Sequence, residues 1–154
     1  MRTSAIVVLG LFAGATIAAN AQELTWRKDI APIVKAQCVE CHGSSEPEFA
    51  EWMVRREKEK KLAPRMDTYA QFMNSVVWPA TGATMRRLDD GKAGGGKPGN
   101  MYRYLGETDA ERAKNLQTIK AWMGEGAWNL NRWEARGNTP GITKEQIDRI
   151  KAKY

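Results

Sequence analysis

Apolar positions along this chain recur at helical spacing and almost nowhere alternate, which predicts helices joined by glycine- and proline-rich loops. Ile30, Ile33 and Val34 mark the apolar face of a helix over about 28–37, with Pro32 tolerated in its first turn, where no amide donor is needed. Over 48–61, Phe49, Trp52 and Met53 lead into the run Arg55-Arg56-Glu57-Lys58-Glu59-Lys60-Lys61, which reads as a solvated helix face. Asp67 is placed to cap a third helix carrying Tyr69, Phe72, Met73 and Val76 or Val77. Residues 78–100 read as one long loop, broken by Pro79, Gly82, Asp89-Asp90-Gly91, Gly94-Gly95-Gly96 and Pro98-Gly99. The most regular helix follows, capped by Thr108 or Asp109, with Leu116, Ile119, Trp122 and Met123 on one face and Gly124 and Gly126 ending it. Beyond it Trp128, Leu130 and Trp133, in a loop or short turn, need somewhere to bury apolar surface. Pro140-Gly141 then breaks the chain, and Thr143-Lys144-Glu145-Gln146 forms a capping box for a final helix to Lys151 or Ala152. The class is all-α, without internal repeats.

One short stretch carries most of the chemistry. Cys38-Val39-Glu40-Cys41-His42 holds both cysteines and the only histidine. Two thiols three positions apart can add to the two vinyl groups of one porphyrin while the adjacent imidazole reaches the iron from the same side, so the motif predicts one covalently attached haem c. A structural zinc needs four ligands, and no third cysteine or second histidine exists to complete the usual sets. A thioredoxin-type couple would not need His42 and expects a βαβ context that the pattern lacks. Gly91 to Lys97 has the glycine and lysine spacing of a phosphate-binding loop, but Pro98 stands where a hydroxyl is required and no strand precedes it. Its glycines read as conformational freedom close to a flat cofactor.

The N-terminus fixes an expected compartment. Met1-Arg2-Thr3 is a short basic start, residues 5–18 are uncharged and apolar, and Ala19-Asn20-Ala21 is a small-x-small cleavage site. This is the pattern of a secretory signal peptide over 1–21, which puts the mature chain, from Gln22, in a bacterial periplasm, where c-type haem is attached. The apolar run is short for a membrane span and nothing later is apolar for long enough, so no integral membrane segment is expected after signal removal. Residues 22–154 make one domain. The 154-residue chain has a formal charge of +6 and an isoelectric point near 9.4. Export disfavours nucleic acid as the reason; redox protein partners with acidic docking patches suit it better.

Trp26-Arg27-Lys28-Asp29-Ile30-Ala31-Pro32-Ile33-Val34, followed by the haem motif and Gly43, resembles the opening of class I cytochromes c. Ile119-Lys120-Ala121-Trp122-Met123-Gly124-Glu125-Gly126-Ala127 is similar to their C-terminal helix. The resemblance brackets a core of about 24–127 and leaves about 128–154 as an aromatic and helical extension. It implies a cytochrome c-like fold in which a first and a last helix cross near one covalently attached haem. The histidine ligates one face of the iron, and a methionine from a loop before the last helix ligates the other. The implied activity is one-electron transfer rather than enzymatic conversion of a substrate.

The methionine-proline pair common at that family's distal ligand is absent, so position has to decide. Met53 and Met73 sit on apolar helix faces, and Met66 follows Pro64 too early. Met101 ends the glycine-rich loop shortly before the last helix and is the expected ligand; Met85 is its rival. A His42/Met101 pair would favour the reduced iron more than two nitrogen ligands do. An open sixth site would instead make the chain a haem-based gas sensor or enzyme. A third alternative is a haem-bearing subunit of a larger redox complex, docked through residues 128–154.

Overall fold

The structure is a computed structural model, described here over residues 23–93, 95–130 and 142–154. The expected leader over 1–21, Trp133 and the Pro140-Gly141 break lie outside the described residues.

Thr25 opens the first helix by accepting the Lys28 amide on its hydroxyl at 3.3 Å. A turn of π-helix, Trp26–Ile30, runs directly into α1, Ala31–Gln37, with Pro32 in the opening turn of α1. The helical rise thus begins two residues before the apolar pattern suggests, because Trp26 joins Ile30 and Val34 on the buried face. One turn, α2, Val39–His42, follows Cys38. Then come α3, Phe49–Arg55; α4, Tyr69–Met73; and α5, Ala83–Leu88. A 3-10 turn, Tyr102–Tyr104, precedes the long α6, Asp109–Met123. A second 3-10 turn, Ala127–Asn129, and α7, Lys144–Ile147, complete the described elements, among which no strand occurs.

The core is the meeting of the first helical segment with α6. Trp26, Ile30 and Val34 face Leu116, Ile119, Trp122 and Met123, all buried. The Trp26 and Trp122 rings lie 5.9 Å apart, and Phe72 from α4 closes on Trp26 at 5.3 Å. The expected cap of α6 is a complete capping box, Thr108 with Glu111.

Residues 150–154 strap this crossing. The Lys153 carbonyl accepts both the Trp26 amide and the Trp122 indole N–H at 2.8 Å, and the Ala152 carbonyl accepts the Tyr69 hydroxyl at 2.8 Å. The Trp26 amide is one of the donors every helix start leaves over, so the strap supplies a missing partner where water is excluded. The described part of the segment after 127 turns inward, with Trp128, Leu130 and Ala152 buried over the domain's own core.

Four expectations need correction. The charged helix stops at Arg55 instead of Lys61. Arg55 is held by Glu51 at 2.6 Å and Glu59 at 2.8 Å, and beyond it no apolar side chain offers a face to bury before Leu62. Thr68 caps α4 in place of Asp67, whose carboxylate is taken by Arg65 at 2.6 Å. The stretch read as an unbroken loop contains α5, which starts from Gly82 at φ 70° and buries Thr84, Met85 and Leu88. A helix this short shows too little periodicity to stand out among glycines and prolines. The final helix is also shorter than its capping box suggests, because the chain turns after Ile147 to reach the strap.

Candidate cofactor site

The first helix delivers Cys38, whose amide bonds to the Val34 carbonyl at 2.9 Å. The chain kinks there and makes one further turn, in which the Cys38 carbonyl accepts the amides of Cys41 at 3.2 Å and His42 at 2.9 Å. Positions i, i+3 and i+4 of one helical turn share a face, so both thiols and the imidazole are presented together. Both cysteines are free; Cys41 is exposed and Cys38 half-buried. Burial pushes the Cys38 thiol up to about 11, so it stands as a neutral thiol against the core. Gly43 ends the turn: a Cβ there would lie 2.5 Å from the Val39 carbonyl oxygen, closer than any side chain tolerates.

His42 is oriented by a contact that the sequence did not announce. Its Nδ1 lies 2.7 Å from the Pro64 carbonyl oxygen. A carbonyl can only accept, so Nδ1 carries the proton and donates it, which leaves Nε2 with a lone pair for a metal. The His42 carbonyl in turn accepts the Met66 amide at 2.9 Å, and the Pro47 carbonyl accepts that of Arg65 at 2.8 Å. The partners are 22 residues apart in sequence, and only the general need of a ligating histidine for a second acceptor hinted that one existed.

Met101 is half-buried at the edge of the core, beside Tyr102. Its amide bonds to the Arg87 carbonyl at 2.9 Å, and Gly99 bonds to the Asp89 carbonyl at 2.8 Å, so the chain at 99–101 lies back against the end of α5. Asp89, 1% exposed, accepts the Trp128 indole N–H at 3.0 Å, and the Lys120 ammonium lies 3.8 Å from Asp90 and 5.0 Å over the Trp128 ring. Met85, at 0% exposed, lies wholly within the core on α5, two residues before Arg87. The two candidate thioethers therefore belong to segments that touch, one inside and one at the margin.

Among the described residues no group of three or more His, Cys, Asp or Glu side chains could form a metal cage. Two unpaired thiols on one turn, beside an imidazole with Nδ1 already bonded, instead form a donor set for a macrocycle that brings its own equatorial ligands.

A family model described as PccH cytochrome c matches residues 25–154. A solved structure of the monohaem cytochrome PccH from Geobacter sulfurreducens is 47% identical, with a TM-score of 0.72; the match covers 86% of this chain and 99% of that one. No curated protein matches the chain.

Proposed function

This chain belongs to the PccH family of c-type cytochromes, which carry one covalently attached haem c, and from that premise we propose that it is a periplasmic one-electron carrier. Electron transfer is the activity its family implies. In the proposed site Cys38 and Cys41 would hold the haem through two thioether bonds, and His42 Nε2 and the Met101 sulfur would hold its iron. The observation that carries this reading is the 2.7 Å contact from His42 Nδ1 to the Pro64 carbonyl, on the same turn as both thiols. It fixes the tautomer a ligand needs and raises the basicity of Nε2.

When bound, the haem supplies the one-electron couple. The protein's part is to hold it covalently, to exclude water with its buried apolar and aromatic residues, and to keep the ligands in similar positions in both oxidation states. No side chain is assigned an acid/base role, since the sole histidine is used as a ligand; the chain acts as a carrier, not as an enzyme. Periplasmic location is supported by the leader-like pattern over 1–21, and the family match begins just after it, at residue 25. Among the described residues no helix is long and apolar enough to cross a membrane. The basic balance of the chain suits redox proteins with acidic docking patches as partners.

Absorption spectra of the oxidised and reduced protein test the assignment, together with haem staining after denaturing electrophoresis. Retained stain and the weak far-red band of methionine-to-ferric-iron ligation are expected. Loss of the stain from matured protein removes the covalent attachment; a missing band with ready carbon monoxide binding replaces the carrier by a sensor or enzyme with an open site.

A further inference from the structure

The charged segment after the attachment turn has no part in the electron-transfer reading, yet its geometry leads to His42. Trp52 on α3 lies between the Phe49 ring, 5.4 Å away, and the Arg56 guanidinium, 5.0 Å over its face. Its indole N–H donates to the Leu62 carbonyl at 2.9 Å. The intervening chain is drawn back by Arg55, which grips Glu51 and Glu59. Two residues beyond Leu62 is Pro64, the acceptor for His42 Nδ1. Proline has a fixed φ and no amide of its own, so the direction of its carbonyl is set from outside. Leu62 is held upstream by Trp52, and Arg65 and Met66 are held downstream by Pro47 and His42.

We propose that Trp52 is a positioning residue that sets the strength of the His42–Pro64 hydrogen bond and, through it, the reduction potential of the haem iron. The proposal rests on His42 being an axial ligand. A firm Nδ1–H···O bond makes Nε2 more basic, a more basic ligand favours ferric iron, and the potential is lowered. Without the indole donor, Leu62 to Pro64 relaxes away from His42 and the potential rises. The segment between α3 and α4 is then a brace under the ligand.

The test uses the matured holoprotein with its single histidine labelled with nitrogen-15, so that one ring reports. Trp52→Phe removes the N–H while keeping an aromatic ring beside Phe49 and Arg56. The expected result is a higher reduction potential and several-fold faster solvent exchange of the His42 Nδ1 proton, with haem content unchanged. An unchanged potential and unchanged exchange overturn the proposal. Val54→Ala, 79% exposed on the same helix, is the control and leaves both readouts alone; an equal shift there overturns a specific role for Trp52. If Trp52→Phe fails to mature, Arg56→Gln frees one face of the indole: a smaller shift in the same direction supports the brace, and none overturns it. A wild-type ring without an iron-perturbed resonance removes the ligand assignment itself, an outcome distinct from a perturbed ring that ignores Trp52.

Discussion

The segment that holds His42 and the segment that carries Met101 are built on different principles. His42 is steadied by hydrogen bonds within a single excursion, from Trp52 to Leu62 and from the imidazole to Pro64, most of it at the surface. Met101 ends a loop tied into the interior, through the buried Asp89–Trp128 bond and the Lys120–Asp90 pair on α6. The first arrangement lies outside the core; the second is tied to α6 through Lys120 and to the buried Trp128 through Asp89.

The sharpest way to break the comparison is His42→Ala. It removes the only imidazole, so essentially complete loss of normally matured, axially ligated haem is expected in haem stain and absorption spectra. A preserved spectrum would remove the whole proximal side of the contrast.

Met101→Ala comes next. It should abolish the far-red band, lower the reduction potential and open the iron to carbon monoxide while the thioether bonds survive. Met85→Ala should keep the band but cost about 2–5 kcal/mol in denaturant unfolding, because its side chain is fully buried. Loss of the band in Met85→Ala alone would transfer the ligand role to α5.

Trp128→Phe sharpens the contrast through stability. It takes one donor from the buried Asp89 carboxylate, a loss of about 1–3 kcal/mol measurable by chemical unfolding. Trp52→Phe, at a half-buried indole bonded to a carbonyl, should cost no more than about 1.5 kcal/mol. The reverse order would mean that the excursion, not the loop that ends at Met101, is coupled to the global fold.

The smallest effect concerns docking. Electron transfer with an acidic partner should slow as salt rises, since exposed charges are screened beyond about 10 Å at 0.1 M. In the charged run Arg55 pairs with Glu51 and Glu59 and Lys60 with Glu57, whereas Arg87 and Arg103 near Met101 bond to neutral oxygens of Asn100 and Tyr104. Arg87→Gln and Arg103→Gln should therefore flatten the salt profile more than Lys60→Gln does; the opposite ranking would place docking on the excursion.

What the sequence disclosed follows the same division. The crossing of the first helix with α6 was legible because its apolar positions repeat over several turns, and of the two expected caps, Thr108 and Asp109, it is Thr108 that starts α6. The turn shared by Cys38, Cys41 and His42 was legible because the three are neighbours in sequence. Pro64 and Trp52 were not, since each acts through a backbone carbonyl contact between distant residues, and carbonyls leave no trace in residue type. The end of α3 was misjudged for a related reason: charged residues suit a helix on propensity, but without an apolar face the helix has nothing to lie against. The tie between Asp89 and Trp128 spans 39 positions and was equally hidden, though Trp128 had signalled that it needed somewhere to go.

The strap over 150–154 also has a consequence in time. Synthesis runs from the N-terminus, so Cys38, Cys41 and His42 exist long before Ala152 and Lys153 do. Until those carbonyls arrive, the Trp26 amide and the Trp122 indole lack their acceptors and the Tyr69 hydroxyl lacks its own. The nascent chain thus passes through a stage in which the attachment turn is made and the crossing above it is still unlatched. Cys38 is open to solvent in that interval and half-buried once the fold is complete, whereas Cys41 is exposed at the end as well.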